Sequence, residues 1–326
     1  MNLKYLSYRK IKNLSLLWAS YYLSYWLKSD FRWGKYIALS IEPTNSCNLS
    51  CIECPTGTNG LSRKQGSISK DIFKSILEDK FKDLIYLNFY FQGEPFLNKQ
   101  TVDLIRMASD KRIYTSTSTN AQLITKNLAR QIVQSGLNRI IISIDGTTQE
   151  VYEKYRVGGS LGKVIQATKF LVQEKANQKS KLRIIFQFLV FKHNEHQISD
   201  IEKLAIDLKV DKLEIKSAQI YNYKESTNIP LLNKYARYKK NSLGDYEIKS
   251  SLSNKCWRMW HSIVITQDAK VVPCCFDKDV DFEIGDLKIN SISEIEKDLK
   301  YKTFRKKISK GRPNILICSN CTEGLL

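Results

Sequence analysis

The chain has 326 residues, of which 42% are hydrophobic, and it carries 52 Lys and Arg against 33 Asp and Glu, for a net charge of +19. These fractions suit a soluble protein with one large α/β domain and a smaller appendage, and they exclude disorder over most of the length. The basic excess favours acidic partners, such as phosphorylated or nucleotide-linked substrates, nucleic acid or an anionic membrane surface, unless it is only a solvated lysine-rich exterior.

Residues 14–27 form an aromatic-rich segment preceded by Lys4, Arg9, Lys10 and Lys12. It lacks a small-residue cleavage site, and Lys28, Asp30, Arg32 and Lys35 cut it short of a membrane span. It reads as an amphipathic helix, within an N-terminal segment 1–35, that either docks on its own domain or lies at a membrane interface.

From residue 36, short apolar runs alternate with helical patterns. Strands are expected over 36–41, 85–91, 112–116, 139–144, 182–191 and 212–216, with helices starting near Lys70, Thr101, Thr125, Leu161 and Gln197. Six successive βα units imply a parallel sheet with its active site at the C-terminal strand ends. Residues 221–250 are polar, lose the alternation and read as a linker.

The first strand runs straight into a loop holding Cys47, Cys51 and Cys54 in C-x3-C-x2-C spacing. Three thiolates on one tight loop can hold three irons of a [4Fe–4S] cluster and leave the fourth iron without a protein ligand. A zinc knot is the alternative, but no fourth Cys or His lies near the loop. The other five cysteines, Cys256, Cys274, Cys275, Cys318 and Cys321, fall in the last quarter. Clustered thiols in a long, lysine-rich chain point to metal in a reducing cytoplasm rather than to disulfides. Cys256, a hairpin, Cys274 and then the C-x2-C pair Cys318 and Cys321 read as a second, metal-stapled domain over 251–326.

The cysteine loop, followed by polar turns at successive strand ends, resembles the radical S-adenosylmethionine (SAM) superfamily. Those turns are Tyr90-Phe91-Gln92-Gly93-Glu94-Pro95, Thr117-Ser118-Thr119-Asn120, Ser143-Ile144-Asp145-Gly146 and Tyr155-Arg156-Val157-Gly158-Gly159. The resemblance implies an α/β fold with a partial (β/α)6 TIM barrel over 36–220. It also implies a cluster whose open iron chelates SAM, with an electron cleaving SAM to a 5′-deoxyadenosyl radical. Gly93 and Glu94 would then receive the methionine ammonium, Ser118, Asn120, Ser143 and Asp145 the SAM ribose side, and Arg156 the carboxylate. Gln92 replaces a glycine of the family's motif, and Glu53 stands where a bulky residue usually packs near the adenine.

The four C-terminal cysteines resemble the Twitch form of the SPASM domain, implying one auxiliary [4Fe–4S] cluster held by Cys256, Cys274, Cys318 and Cys321. Asp268-Ala269 replaces the family's glycine-containing hairpin turn. Cys275 is left over, either as a buried thiol or as a catalytic hydrogen-atom donor. The leading expectation is dehydrogenation or epimerisation of a small polar molecule such as a sugar or cyclitol, with a low-potential donor such as flavodoxin or ferredoxin. Peptide or protein maturation is the alternative within the family. A zinc-stapled nucleic-acid adaptor is the alternative outside it, and nucleic acid is not the expected partner. Localisation is expected to be cytoplasmic, with membrane contact through residues 1–35 left open.

Overall fold

Helix α1 (Tyr8–Trp26) opens the fold, its first turn closed by the Ser7 hydroxyl accepting from Lys10 N. The structure is a computed structural model that describes residues 5–80, 82–249 and 252–321. The two ends of the chain and the junction at 250–251, where the N-terminal segment and the last domain were expected to begin or end, lie outside the described residues.

Strand β1 (Ala38–Ile41) leads through the cysteine loop to α2 (Lys70–Lys80), and four βα units follow: β2 (Tyr86–Asn88) with α3 (Thr101–Asp110), β3 (Tyr114–Thr119) with α4 (Lys126–Gln134), β4 (Arg139–Ser143) with α5 (Gln149–Tyr155) and α6 (Leu161–Asn177), and β5 (Arg183–Val190) with α7 (Ile198–Asp207). Strand β6 (Lys212–Ser217) ends the series. Thr125, Thr148 and Ser160 cap α4, α5 and α6 by accepting backbone N–H groups, which fixes where each helix starts. Helix α5 was not anticipated; seven residues give too short a pattern to stand out from the turn around them. Strand β3 runs to Thr119, three residues beyond the expected end, because Ser116 to Thr119 pair in register with Arg139 to Ile142.

The fold is a partial TIM barrel. Strands β1 to β6 are parallel neighbours, and their alternation separates two faces. Leu39, Leu87, Ile140, Ile142, Ile184 and Phe186 are buried with Phe73, Leu104, Ile132 and Leu171 of the surrounding helices. Each such burial contributes about 1.5–3 kcal/mol. On the opposite, concave face Ser40, Asn88, Ser116 and Arg139 pair in one continuous cross-strand row, and Arg139 reaches Glu214 of β6 at 3.3 Å.

The segment expected as a linker folds back. It forms the hairpin β7 (Tyr238–Lys240) and β8 (Tyr246–Ile248), and Tyr238 stacks on Tyr223 at 4.5 Å. Ile220, Ile229 and Tyr238 join Leu49, Cys51, Tyr155 and Phe191 in a small core over the cysteine loop. Beyond it, α8 (Arg258–His261) leads into β9 (Ser262–Ile265), β10 (Lys270–Val272) and β11 (Gly285–Asp286), and α9 (Ile292–Ile295) and α10 (Leu299–Gly311) follow. Strand β9 pairs parallel with β1, so the C-terminal hairpin extends the barrel sheet to nine strands in the order β11-β10-β9-β1-β2-β3-β4-β5-β6.

Candidate functional site

Glu42, the residue after β1, is fully buried and accepts from Arg63 Nη1 and Nη2 at 2.7 and 2.8 Å. Bidentate pairing of this kind holds the two limbs of the loop together where the chain leaves the sheet. Asn45 ties the limbs again by donating to Lys64 O and accepting from Gly66 N, both at 2.9 Å. Gly93 lies against the same stretch with φ +73°, where an added Cβ would meet Thr44 O at 2.4 Å and Ser46 O at 2.6 Å. A side chain here would collide with the cysteine loop, so glycine lets that loop pack directly against the turn after β2. Glu94 N donates to Ser46 O and Ser50 N to Val157 O, so the loops after β2 and α5 grip the cysteine loop from two sides.

Cys51 is buried and Cys47 and Cys54 are half-buried. Asn120 Nδ2 stands 3.8 Å from Cys47 Sγ and Arg156 Nη1 3.7 Å from Cys51 Sγ. Burial pushes the Cys47 thiol up to about 11, and it raises Cys51 against the opposing pull of Arg156. Such thiols give up their protons on metal binding, and N–H donors aimed at sulfur then favour the thiolate. Three sulfur donors on one loop, two N–H donors and an apolar cover fit an iron–sulfur cubane with one iron free of protein ligands.

The strand-end residues gather around this loop. Glu94 accepts from Thr119 Oγ1 at 2.7 Å, Asn120 N at 2.8 Å and Phe96 N at 3.3 Å, so its carboxylate is anchored between the ends of β2 and β3. Asp145, expected at the ribose, accepts from Arg156 Nε at 2.6 Å and Leu189 N at 2.7 Å. Asn120 also donates to Asn48 Oδ1 at 2.9 Å. Ser143 is buried at the end of β4 and Ser118 half-buried near the end of β3. Glu53 accepts from Tyr221 N at 3.3 Å, joining the cysteine loop to the segment after β6.

Cys256, Cys274, Cys318 and Cys321 line one cavity with Met259, Phe276, Phe304, Ile308 and Arg312. Burial raises Cys256 and Cys274 and pushes Cys318 up to about 11. The buried Arg312 donates to Cys321 Sγ at 3.3 Å, and Phe276 N to Cys274 Sγ at 3.3 Å. Four thiols in an apolar cradle with N–H donors on two sulfurs suit a fully ligated cluster. The hairpin turn forms with Ala269 at φ +73°, the conformation for which glycine is the easier residue. Cys275 follows Cys274 directly and is half-buried.

The model of the radical SAM superfamily matches residues 41–205. The chain belongs to the radical SAM superfamily. An iron–sulfur cluster-binding domain of the SPASM type matches residues 256–322. This radical SAM protein therefore uses SAM, a SAM-binding [4Fe–4S] cluster and auxiliary iron–sulfur chemistry as its cofactors. It is 29% identical to a PqqA peptide cyclase of Bradyrhizobium diazoefficiens over 191 residues, 58% of this chain and 48% of that protein. The chain thus spans about half the length of the first curated relatives it matches. Among solved structures, BtrN in complex with AdoMet and 2-DOIA superposes with a TM-score of 0.57 at 18% identity, covering 89% of this chain and 94% of BtrN. SuiB of Streptococcus suis bound to S-adenosylmethionine superposes with a TM-score of 0.62 at 16% identity, covering 88% and 71%. Both likenesses are of fold.

Two features of the radical SAM site escaped the sequence. The Glu42–Arg63 pair joins residues 21 apart across an irregular loop, and no periodicity marks either one. Arg312 gave a fainter signal, an arginine six residues before the Cys318 pair, which reads as one more surface cation until its burial is seen.

Proposed function

We propose that this radical SAM enzyme modifies a peptide. The observation that carries the reading is the 29% identity to a protein named a PqqA peptide cyclase, over 58% of this chain. The expectation of a sugar or cyclitol as substrate has weaker support, since the BtrN likeness is one of fold at 18% identity. Once bound, the reduced cluster supplies the electron that splits SAM and gives a hydrogen-abstracting deoxyadenosyl radical.

The chain's own residues prepare that chemistry. Cys47, Cys51 and Cys54 hold the cluster, and Asn120 and Arg156 donate toward two of the sulfurs. Gly93, Glu94 and Asp145 act in this reading as positioning residues, because they brace the cysteine loop, Asn120 and Arg156. Ser118 and Ser143 supply hydroxyls at the strand ends for the SAM ribose. Leu49, Tyr155, Phe191 and Ile220 exclude water from one side of the site.

Dehydrogenation or epimerisation of a small hydroxylated molecule is kept as a second reading. It is favoured by four auxiliary cysteines sharing one cavity, enough for one fully ligated cluster, with Cys275 to spare.

The test is anaerobic incubation of the reconstituted protein with SAM, a low-potential reductant and deuterated peptides translated from short reading frames beside its gene. Deuterium in 5′-deoxyadenosine with a mass change in one peptide is the expected result. Transfer only from deuterated sugars or cyclitols would replace it with the second reading.

A further inference from the structure

Helix α1 is built inside out. Its body-facing stripe is Lys10, Asn13, Leu17, Ser20 and Ser24, all buried, at alternating three- and four-residue spacing. Its outward face carries Tyr8, Ile11, Trp18, Tyr22 and Trp26, all exposed, with Trp18, Tyr22 and Trp26 four residues apart. Trp18 is 51% exposed, Tyr22 43% and Trp26 72%. Soluble helices place these two compositions the other way round.

The orientation is fixed by hydrogen bonds. Asn13 accepts from Lys35 N at 2.8 Å and donates to Lys35 O at 3.0 Å, and the Ser24 hydroxyl both accepts from Phe31 N and donates to Phe31 O at 2.8 Å. Gly34 lies so close that an added Cβ would meet Leu17 Cγ at 2.5 Å. The returning chain therefore clamps the polar stripe, and rotating α1 to hide its aromatics would break all four hydrogen bonds.

Charge selects what covers the stripe. Helix α1 contains no acidic residue, Lys12 and Lys28 are exposed along or beyond it, and Lys255 Nζ stands 4.0 Å over the Tyr25 ring. Asp30, the one acid of residues 1–35, is bound by Arg305 at 2.6 Å. Arg305 belongs to α10, which also carries lysines and no acid. A second copy of the chain would bring these cations against each other. A surface of anionic headgroups would neutralise them while the indole and phenol rings settle at the headgroup boundary. No helix among the described residues is long and apolar enough to cross a membrane, so the contact is peripheral.

We propose that the outward aromatic stripe of α1, flanked by Lys12, Lys28 and Lys255, docks this protein on an anionic lipid surface, beside the auxiliary-cluster region that Trp257 links to Trp18.

The full chain with its clusters reconstituted would be sedimented with vesicles of phosphatidylcholine alone and with vesicles containing one-third phosphatidylglycerol. Partition is expected on the anionic vesicles only, weakening as salt is added, with a blue-shifted tryptophan emission. The triple variant Trp18→Ser, Tyr22→Ser, Trp26→Ser should lose about tenfold or more of that partition. Its circular dichroism and iron–sulfur absorbance should match the parent, and Lys12→Glu with Lys28→Glu should weaken binding as an independent check. Lack of partition, equal partition on neutral vesicles, an unaffected triple variant, or a lipid-independent dimer that the triple variant abolishes would each overturn the proposal.

Discussion

Asp145 Oδ2 accepts from Arg156 Nε at 2.6 Å, and the same guanidinium turns Nη1 to Cys51 Sγ, 3.7 Å away. The carboxylate thereby sets the angle at which a buried cation meets a cluster ligand. Asp145→Asn keeps the shape but removes the charge that holds the fork, and Arg156→Lys removes the fork. Each should lower reductive SAM cleavage by about 10–100-fold, the usual cost of losing a group that orients a ligand. Iron content of the auxiliary site should be unchanged; equal loss at both sites would point to general unfolding.

The two cysteine sets should be separable. The parent chain is expected to carry about eight irons with both cubanes filled, and removing either set should leave about four. Cys47→Ala should abolish SAM cleavage to 5′-deoxyadenosine. Cys318→Ala should retain cleavage while impairing substrate turnover. Iron and sulfide assays with product chromatography read both outcomes.

Gly93→Ala tests the loop clamp. Its Cβ would press on Thr44 O and Ser46 O, backbone atoms that cannot swing aside, at an already positive φ. A loss of about 1–3 kcal/mol is expected, read as a lower unfolding midpoint together with weaker retention of the SAM-site cluster. By contrast Ala269→Gly, in the hairpin turn, relieves a positive φ and should be neutral or stabilising by up to about 1 kcal/mol.

Glu214 gives the pH prediction. Burial alone would raise its carboxyl, but hydrogen bonds from Lys216 and Lys212 and the charge of Arg139 overcome that and hold it at about 2. A carboxylate depressed in the folded state contributes stability above the unfolded value of about 4.3, and that contribution is lost as the pH falls toward the folded value. Stability should therefore drop between about pH 4 and pH 2, and Glu214→Gln should flatten that part of a denaturant-midpoint profile.

In the epimerisation reading, Cys275 is proposed to donate a hydrogen atom to the substrate radical. Its S–H bond breaks as a substrate C–H forms, and the thiyl left behind takes an electron from the low-potential donor and a proton from solvent. Cys275→Ala should leave deoxyadenosine formation intact while ending deuterium uptake from D2O into product. Unchanged uptake would assign the thiol to packing.

Much of the fold was readable before the structure. The short apolar runs and the helical patterns between them, starting near Thr125 and Leu161 among others, placed β1 to β6 and the main helices, because buried strands and amphipathic helices leave local signals. The cysteine sets were legible from spacing alone. What stayed hidden was long-range. No local pattern says that β9 will pair with β1, that residues 221–250 will return over Cys51, or that Glu94 and Asp145 will be claimed by Thr119 and Arg156.

The pairing of β9 with β1 has one more consequence. The strand that launches the cysteine loop is bonded along its edge to the hairpin that ends at Cys274, and Gln267 N donates to Glu42 at the loop's own base. Both cysteine sets are thus mounted on one ladder. Electron tunnelling falls off exponentially with distance, so clusters held by Cys51 and Cys274 would keep a fixed separation set by that ladder.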